Sequence, residues 1–461
     1  MRNVFAVVLA AGKGTRMKST RHKVLHPVCG KPMIDHLTDH LTKMGVSETV
    51  VIIGHDAESI QAHLKNRVHF ALQEEQLGTA HAVMQARTKL EGKDGITLVL
   101  NGDHPLFSQT TLEHVVSQHQ ELGSAATILT ANLADPTGYG RVIRQADGSV
   151  DRVVEHKDAT DEERKVSEVN TGTFCFDNQK LWRALEQVGN NNAQGEYYLP
   201  DLIAILHKEG EKIGAVTIAD PNEAQGVNDR VQLAQAEKMM RQRILENHMR
   251  NGVTVIDPNH TYIDTDVVIG ADTTIHPGTY LRGNTHIGSV CEVGPQVDLS
   301  NVRIADGTKI SYSVVDQATL ESEVTVGPFS YLRPSSHLEK GSKVGAFAEM
   351  KNARLGEGSK IPHLSYVGDA DVGKHVNFSC GSITVNYDGS KKHRTVVEDD
   401  AFIGCNVNLV APVTVGKGGF VAAGSTVTKN VPADALAVAR ERQTNKENYA
   451  SRLKKKREGK E

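Results

Sequence analysis

Leu9 to Met17 reads Leu-Ala-Ala-Gly-Lys-Gly-Thr-Arg-Met and follows an aliphatic run from Val4 that predicts a buried strand. Gly12 and Gly14 lack Cβ atoms, so backbone N–H groups there can approach phosphate oxygens, and Lys13 and Arg16 supply charge for a polyphosphate. Lys23 adds another cation. No Gly-Lys-Ser/Thr closes the turn, so it is not a P-loop, and Met17 stands where a dinucleotide fingerprint has its third Gly. Gln73, and Gly78-Thr79 at the start of a predicted helix, offer amide and N–H groups suited to a base edge. Ile96 to Leu100 then ends in Asn101-Gly102-Asp103, a carboxylate at the carboxyl end of a strand, where Mg²⁺ could bridge phosphates and keep several waters. Each feature has a plainer role when taken alone: a glycine turn, and an Asp that starts the turn before His104-Pro105.

A second set of chemical residues interrupts a six-residue aliphatic period. Ile263, Ile269, Ile275, Leu281, Ile287, Val293 and Leu299 keep step, and further runs reach Val427 after short slips. This is the hexapeptide repeat of a parallel β-helix: each short strand points one aliphatic side chain inward, and three strands close a coil of roughly 18 residues. Between Arg333 and Asn386 the repeat admits Arg333, Glu349, Lys351, His363, Tyr366 and Asn377. Arg333 and Lys351 are eighteen residues apart, as are Glu349 and Val367 beside Tyr366, which predicts stacking on one side of the prism. Arg333 and Lys351 could clamp a phosphate, and neutral His363 could take a proton near pH 7. From Thr384 to Val396 the period breaks, which predicts a protruding loop.

In the first half, strand-like runs at Val4–Leu9, Thr49–Ile53 and Ile96–Leu100 alternate with helical stretches near Met33–Met44, Thr79–Leu90 and Thr110–Leu122. The alternation predicts a three-layer α/β domain with a largely parallel, Rossmann-like sheet, and ligands beyond the carboxyl ends of its strands. Asp229 to Arg250 reads as a polar helix with a narrow stripe of Leu233, Ala236, Met240 and Ile244, stopped by Asn251-Gly252. The expected division is residues 1–228 as the α/β domain, 229–250 as a connecting helix, and 251–461 as the all-β prism with a basic tail. The tail, Arg452 to Lys460, reads as solvated and disordered.

A formal charge of −4 and a pI near 6.6 indicate neither a nucleic-acid groove nor an anionic-membrane footprint. Cys29, Cys175, Cys291, Cys380 and Cys405 form no Cys-x-x-Cys pair, which favours reduced thiols and a cytoplasmic location. Val4 to Ala11 is too short for a signal segment, and no membrane span is expected.

The strings Leu9–Met17, Lys23–Met33, Gln76–Ala82, Asn101–Asp103, Gly138–Arg141, Glu168–Gly172, Asn192–Asp201 and Gly226–Asp229 resemble those of the sugar nucleotidyltransferases. Together with the prism and Pro362–Gly373, nearly the whole chain resembles the bifunctional N-acetylglucosamine-1-phosphate uridyltransferase and glucosamine-1-phosphate N-acetyltransferase family. The resemblance implies that Leu9, Ala10, Ala11, Gly12, Lys23, Gln73, Gly78, Thr79, Asn101, Gly102 and Asp103 surround the uridine nucleotide. It implies that Gly140, Glu155 and Asn170 hold the N-acetylated sugar, and that Asp103 and Asn228 ligate Mg²⁺. Lys23 and Arg16 would neutralise charge during uridylyl transfer. In the prism it implies that His363 is the catalytic base and that Arg333, Lys351, Tyr366 and Asn377 bind the sugar phosphate. Cys380, Cys405, Ala423 and Arg440 would meet the CoA side of acetyl-CoA, and Asn386, Tyr387 and Lys392 the sugar or the acetyl-CoA.

The co-substrates implied are UTP and acetyl-CoA, with glucosamine 1-phosphate and N-acetylglucosamine 1-phosphate as acceptors. A left-handed prism, a homotrimer and a product destined for cell-envelope polymers are implied as well. The family more often has Ala and Ser where this chain has Cys380 and Cys405, Leu-Pro where it has Arg21-His22, and a smaller residue at Cys29. The competing reading is a nucleotidyltransferase whose prism only regulates or assembles. Such a prism would be short and would lack Arg333, Lys351 and His363.

Overall fold

The structure, a computed structural model, describes residues 2–459. It consists of two compact units, Met1–Arg243 and Ile244–Glu461. The first is built on a nine-stranded sheet. Its strands are β1 (Val4–Leu9), β2 (Glu48–Ile53), β3 (His69–Leu72), β4 (Ile96–Asn101), β5 (Ala126–Asn132), β6 (Arg141–Arg144), β7 (Val150–Val154), β8 (Glu168–Asp177) and β9 (Ile213–Thr217). They lie in the order β9-β5-β8-β4-β1-β2-β3, with the β6–β7 hairpin paired to β8. Only β8 on the main path runs against its neighbours, β4 and β5.

In β1, Phe5, Ala6, Val7 and Val8 are all buried because helices cover both faces of the sheet. Phe5 and Val7 join one apolar cluster and Ala6 and Val8 the other, as the two-residue pleat requires. Helix Met33–Lys43 inserts Ile34, Leu37 and Leu41 into the second cluster, and helix Gln109–Leu122 adds Leu112 and Val115. The helix expected over Thr79–Leu90 is two pieces, Thr79–Met84 and Arg87–Leu90. At the break, the side-chain amide of Gln85 donates to the His81 carbonyl at 2.9 Å, so its own N–H turns to Ala82 instead.

Helix Arg230–Arg250 spans the boundary between the units. The expected stripe is only partly realised: Ala236 is buried, whereas Leu233, Met240 and Ile244 are half-buried. Leu245 and His248 are buried near its end. Gly252, at φ 90°, ends the helix in a conformation that suits glycine.

The second unit is a parallel β-helix, the architecture of left-handed hexapeptide prisms, with strands in sheets of eleven and seventeen. One inward column runs Ile263, Leu281, Leu299, Val315, Leu332, Met350, Val367, each the register partner of the next. These positions fall eighteen residues apart from Leu281 to Leu299, sixteen to Val315 and seventeen from Met350 to Val367. Shortened coils are therefore the slips seen in the sequence, and they shift one expectation. Glu349 pairs with Tyr366 itself, not with Val367. The tail also departs from expectation, because Tyr449–Arg457 is a helix with every residue exposed; Lys460 lies outside the described residues. No described helix is long and apolar enough to cross a membrane.

Candidate active sites in the two units

The carboxyl ends of β1 and β4 form the floor of a cleft of ≈ 250 Å³ in the first unit. Leu9, Ala10, Ala11, Gly12, Lys23, Gln73, Gly78, Thr79, Asn101 and Asp103 all line it. Gly78 has φ 113°, and a Cβ there would lie 2.5 Å from the Tyr197 carbonyl oxygen, so the helix starting at Thr79 can begin only from glycine. Gln73 donates to the Gly78 carbonyl at 3.2 Å, holding its amide beside that helix start. Gly102 lies under the floor, its N–H donated to the Leu9 carbonyl at 2.9 Å, which brings Asp103 up to the cleft.

The Lys23 ammonium bonds the Asp103 carboxylate, and the side chains are only 14% and 17% exposed. Lys23 Nζ also lies 3.3 Å from Asn228 Oδ1, and Arg16 Nη2 donates to that same oxygen at 3.0 Å. Asn228 is brought here by the Val227 N–H, which donates to the Asp103 carbonyl at 2.9 Å. Burial, the largest single influence, would raise the Asp103 pKa, but the charge and hydrogen bond of Lys23, with smaller contributions from His104 and the backbone, together outweigh it and hold the carboxyl below the usual range. His104, also beside Asp103, is kept neutral at pH 7 by its own burial, so Lys23 is the working cation.

Two hard oxygen donors, one carboxylate and one amide, thus converge on a single cationic group. That donor set suits Mg²⁺, which takes one or two protein oxygens and fills its remaining positions with phosphate and water.

Leu9, Thr79 and Asn101 also border a second recess, lined by Gly140, Glu155, Asn170 and Thr171. Asn170 N–H donates to the Gly140 carbonyl at 2.9 Å, and its Oδ1 accepts the Gly172 N–H at 2.9 Å. A Cβ at Gly140 would sit 3.2 Å from Glu155 Oε1, so the small residue keeps that carboxyl open to the recess. Burial, with Asp158, Asp201 and Glu196 nearby, pushes the Glu155 pKa up.

Sequence reasoning missed His22, Gln76 and Glu196, which also line the first cleft. His22 is 5% exposed, and its Nδ1 accepts the Val24 N–H at 3.4 Å, which leaves the imidazole proton on Nε2. Burial lowers its pKa. Gln76 holds the Ala11 carbonyl at 2.6 Å. His22 stands in the Arg21-His22 departure, and Gln76 and Glu196 lie within the strings Gln76–Ala82 and Asn192–Asp201, but none of them carries a side-chain role there.

In the second unit the prism gathers Arg333, Lys351 and Tyr366 on one face. Arg333 Nη1 donates to Glu349 Oε1 at 2.9 Å, and Glu349 is flanked in register by Tyr331 and Tyr366. Lys351 pairs in register with Gly368, where a Cβ would lie 2.3 Å from the Tyr366 hydroxyl. Glycine there lets the Tyr366 side chain fold back along its own strand. The neighbouring Lys392 ammonium, and then Arg333, lower the pKa of Lys351. Cations pressed together in this way are poised for an anion.

Thr384 takes the inward position where an aliphatic residue is expected, and its hydroxyl bonds both the N–H and the carbonyl of Gly368, at 2.8 and 2.9 Å. That satisfies the backbone where the next coil leaves the prism. The loop begins at Asn386, whose amide donates to Asp369, and Tyr387 and Lys392 bridge across it. Asp369 also accepts from Asn352 at 2.6 Å, a polar anchor that sequence reasoning did not single out.

His363 and Asn377 do not join the Arg333 face. Both lie on the eleven-stranded sheet, where Lys360 is the register partner of Asn377, and Asn377 of Phe402. Asn377 donates to Ser379 Oγ at 2.8 Å. Three residues beyond those register partners stand His363, Cys380 and Cys405, and the Phe402–Phe420 pairing adds Ala423. These four therefore occupy one edge in four successive coils. The edge ends at Arg440, whose Cδ would lie 3.8 Å from a Cβ on Gly424.

A mostly parallel α/β sheet with a glycine-rich turn, a strand-end carboxylate and converging cations defines a nucleotide-handling transferase. A family model described as nucleotidyl transferase matches residues 5–220. Over the whole chain, the bifunctional protein GlmU of Brevibacillus brevis is 57% identical across 456 residues, 99% of each chain. That of Halalkalibacterium halodurans is 57% identical across 452 residues, covering 98% of this chain and 99% of the relative. The GlmU protein of Listeria welshimeri is 53% identical over 449 residues, 97% of this chain and 98% of its own. This chain belongs to the bifunctional GlmU family.

Proposed function

We propose that the chain makes UDP-N-acetylglucosamine in two steps, one in each unit. In the prism, the amine of glucosamine 1-phosphate attacks the thioester carbonyl of acetyl-CoA, forming the amide and releasing CoA thiol. In the first unit, a phosphate oxygen of the N-acetylglucosamine 1-phosphate so formed attacks the α-phosphorus of UTP, releasing pyrophosphate.

The observation that carries the reading is the convergence of Lys23, Asp103, Asn228 and Arg16 at the strand ends. The sugar-phosphate nucleophile is already ionised at neutral pH, so alignment and charge neutralisation suffice. Gly12, Gln73, Gly78 and Thr79 hold the nucleotide in the ≈ 250 Å³ cleft, and Gly140, Glu155 and Asn170 hold the sugar in the adjoining recess. Asp103 and Asn228 would hold Mg²⁺, which would supply neutralisation of phosphate charge. Lys23 and Arg16, both directed at Asn228, bind the phosphates beside them.

In the prism, Arg333, Lys351 and Lys392 take the sugar phosphate, and the relief of their mutual repulsion favours the dianion. His363 receives the proton lost from the amine as the C–N bond forms. Its edge, with Cys380, Cys405, Ala423 and Arg440, receives acetyl-CoA, while Asn386 and Tyr387 close over it.

His363 and Arg333 lie on different faces of one prism, so a complete acetyltransferase site takes surfaces from neighbouring copies. A homotrimer supplies them. One corner of the prism supports this: Tyr312, Phe329, Phe347 and Leu364 stack there in successive coils, and Phe347 and Leu364 are 60% and 59% exposed. All four hold positive φ, where Asn, Gly or Asp is the usual choice, so apolar bulk at that corner is a feature that association would explain. Five cysteines without a Cys-x-x-Cys pair suit reduced thiols and a cytoplasmic enzyme.

The reading is tested by supplying glucosamine 1-phosphate, acetyl-CoA, UTP and Mg²⁺ and leaving out one at a time. Omitting acetyl-CoA should stop UDP-N-acetylglucosamine formation, and adding N-acetylglucosamine 1-phosphate should restore it. Formation of UDP-glucosamine at a comparable rate without acetyl-CoA would contradict the order of steps.

A further inference from the structure

We propose that Cys380 and Cys405 form a reversible disulfide that shuts the acetyltransferase, an oxidation site built into the edge that also carries His363. In sequence the two are 25 residues apart, a spacing that matches no coil. The loop beginning at Asn386 accounts for the difference, and with it removed from the path they fall at one position of adjacent coils. Asn377 pairs with Phe402 and Phe378 with Ile403, which sets Cys380 beside Cys405 two residues further on. Backbone bonds on both sides hold this alignment: Ser379 N–H to the Ile403 carbonyl and Asn406 N–H to the Cys380 carbonyl, each at 2.9 Å.

Adjacent parallel strands lie about 4.8 Å apart, inside the Cα window of roughly 4.4–6.8 Å for a disulfide. Residues in register on stacked coils point the same way, so the two thiols share a side of the prism. Both are free cysteines; Cys405 is exposed and Cys380 half-buried. The remaining three, Cys29, Cys175 and Cys291, are buried. Burial pushes the Cys175 thiol far above its ordinary value and raises that of Cys291. Reactivity therefore concentrates on one pair.

With a peroxide as oxidant, one thiol is oxidised to a sulfenic acid with release of water, and the other thiol displaces its hydroxyl as a second water. The sum is two thiols and one peroxide giving one S–S bond and two waters, and a dithiol reductant returns both protons and electrons. The bond would tie together the two coils between which the Asn386 loop emerges and draw the edge closed against the acyl thioester. The inhibitory half of the inference rests on the placement of acetyl-CoA along this edge.

The test uses the full-length enzyme, treated with hydrogen peroxide at neutral pH. Non-reducing peptide mass spectrometry is expected to show a Cys380–Cys405 cross-link, with acetyl transfer falling to background, uridylyl transfer unchanged, and activity returning on addition of dithiothreitol. Cys405→Ser and Cys380→Ala, each compared with the same variant left untreated, should show no peroxide-dependent fall in acetyl transfer, whatever activity the substitution itself leaves. Two thiols that remain open to alkylation after oxidation, or that link to other cysteines, overturn the inference. A cross-link that leaves acetyl transfer intact overturns the inhibition, and with it the placement of acetyl-CoA on this edge.

Discussion

Replacing Asp103 by Asn keeps the shape of the side chain and removes its charge. The carboxylate is 17% exposed and bonded to Lys23, itself 14% exposed, so the pair is largely withdrawn from water. Two unit charges about 4 Å apart interact by ~4 kcal/mol at an effective dielectric near 20. Most of that is lost to the folded protein, but Asn228 stays within 3.3 Å of Lys23 and takes over part of the contact. Catalysis suffers more, because Asp103 is the only carboxylate in the proposed Mg²⁺ site. Removing one preorganised charge-stabilising group costs ~10²–10³ in kcat.

Uridylyl transfer, followed by pyrophosphate release at saturating UTP and Mg²⁺, should therefore fall by about two to three orders of magnitude. Acetyl transfer, measured on the same sample by release of CoA thiol, should hold, because the proposal places it in the other unit, Ile244–Glu461. Uridylyl transfer that survives within tenfold would refute the assignment of Asp103 to metal and phosphate. Equal loss of both activities would refute the separation of the two sites and make Asp103 a folding residue.

His363→Ala should lower acetyl-transfer kcat by ~10²–10⁴ with uridylyl transfer intact; an unchanged kcat sinks the base assignment. Phe347→Glu places charge on a residue that is 60% exposed at the apolar corner, and should yield monomers with low acetyl transfer and normal uridylyl transfer, read by sedimentation. A variant that keeps the wild-type mass removes this corner from the interface. Burial lowers the His119 pKa to about 4, below the unfolded value near 6.5, so the folded chain resists protonation. Its contribution is complete above about pH 6.5 and is lost as pH falls toward 4, up to about 3 kcal/mol. His119→Asn should flatten the stability of the first unit across that window, as measured by denaturant midpoints, and an unaltered pH slope counts against it.

Much of the architecture was legible because it rests on local rules. Val4–Leu9 is apolar at every position because both its faces are covered, and Ile263 to Val427 repeat because each coil needs three inward anchors. Slips of the repeat were visible but not their meaning. That Glu349 meets Tyr366 depends on a seventeen-residue coil, and no period announces a shortened turn. The break in the helix after Thr79 was hidden for a different reason. It comes from one side-chain amide, Gln85, competing for a backbone carbonyl, which helical propensity does not register.

The candidate sites divide along the same line. The amino-acid sequence by itself determined which chemical groups are available: a glycine turn with cations, a strand-end carboxylate, and Arg333, Lys351 and His363 in a repeat that has no structural use for them. Residue type carries charge and hydrogen-bonding capacity wherever it lies. Only tertiary structure decided which of those groups meet. Asn228 reaches Lys23 from far along the chain because Val227 is hydrogen-bonded to Asp103, Lys392 joins Lys351 through a loop, and Cys380 and Cys405 become neighbours across 25 residues. Electrostatic and covalent partnership fall off over a few ångströms, and a coil of the prism brings residues within that range irrespective of their distance in sequence.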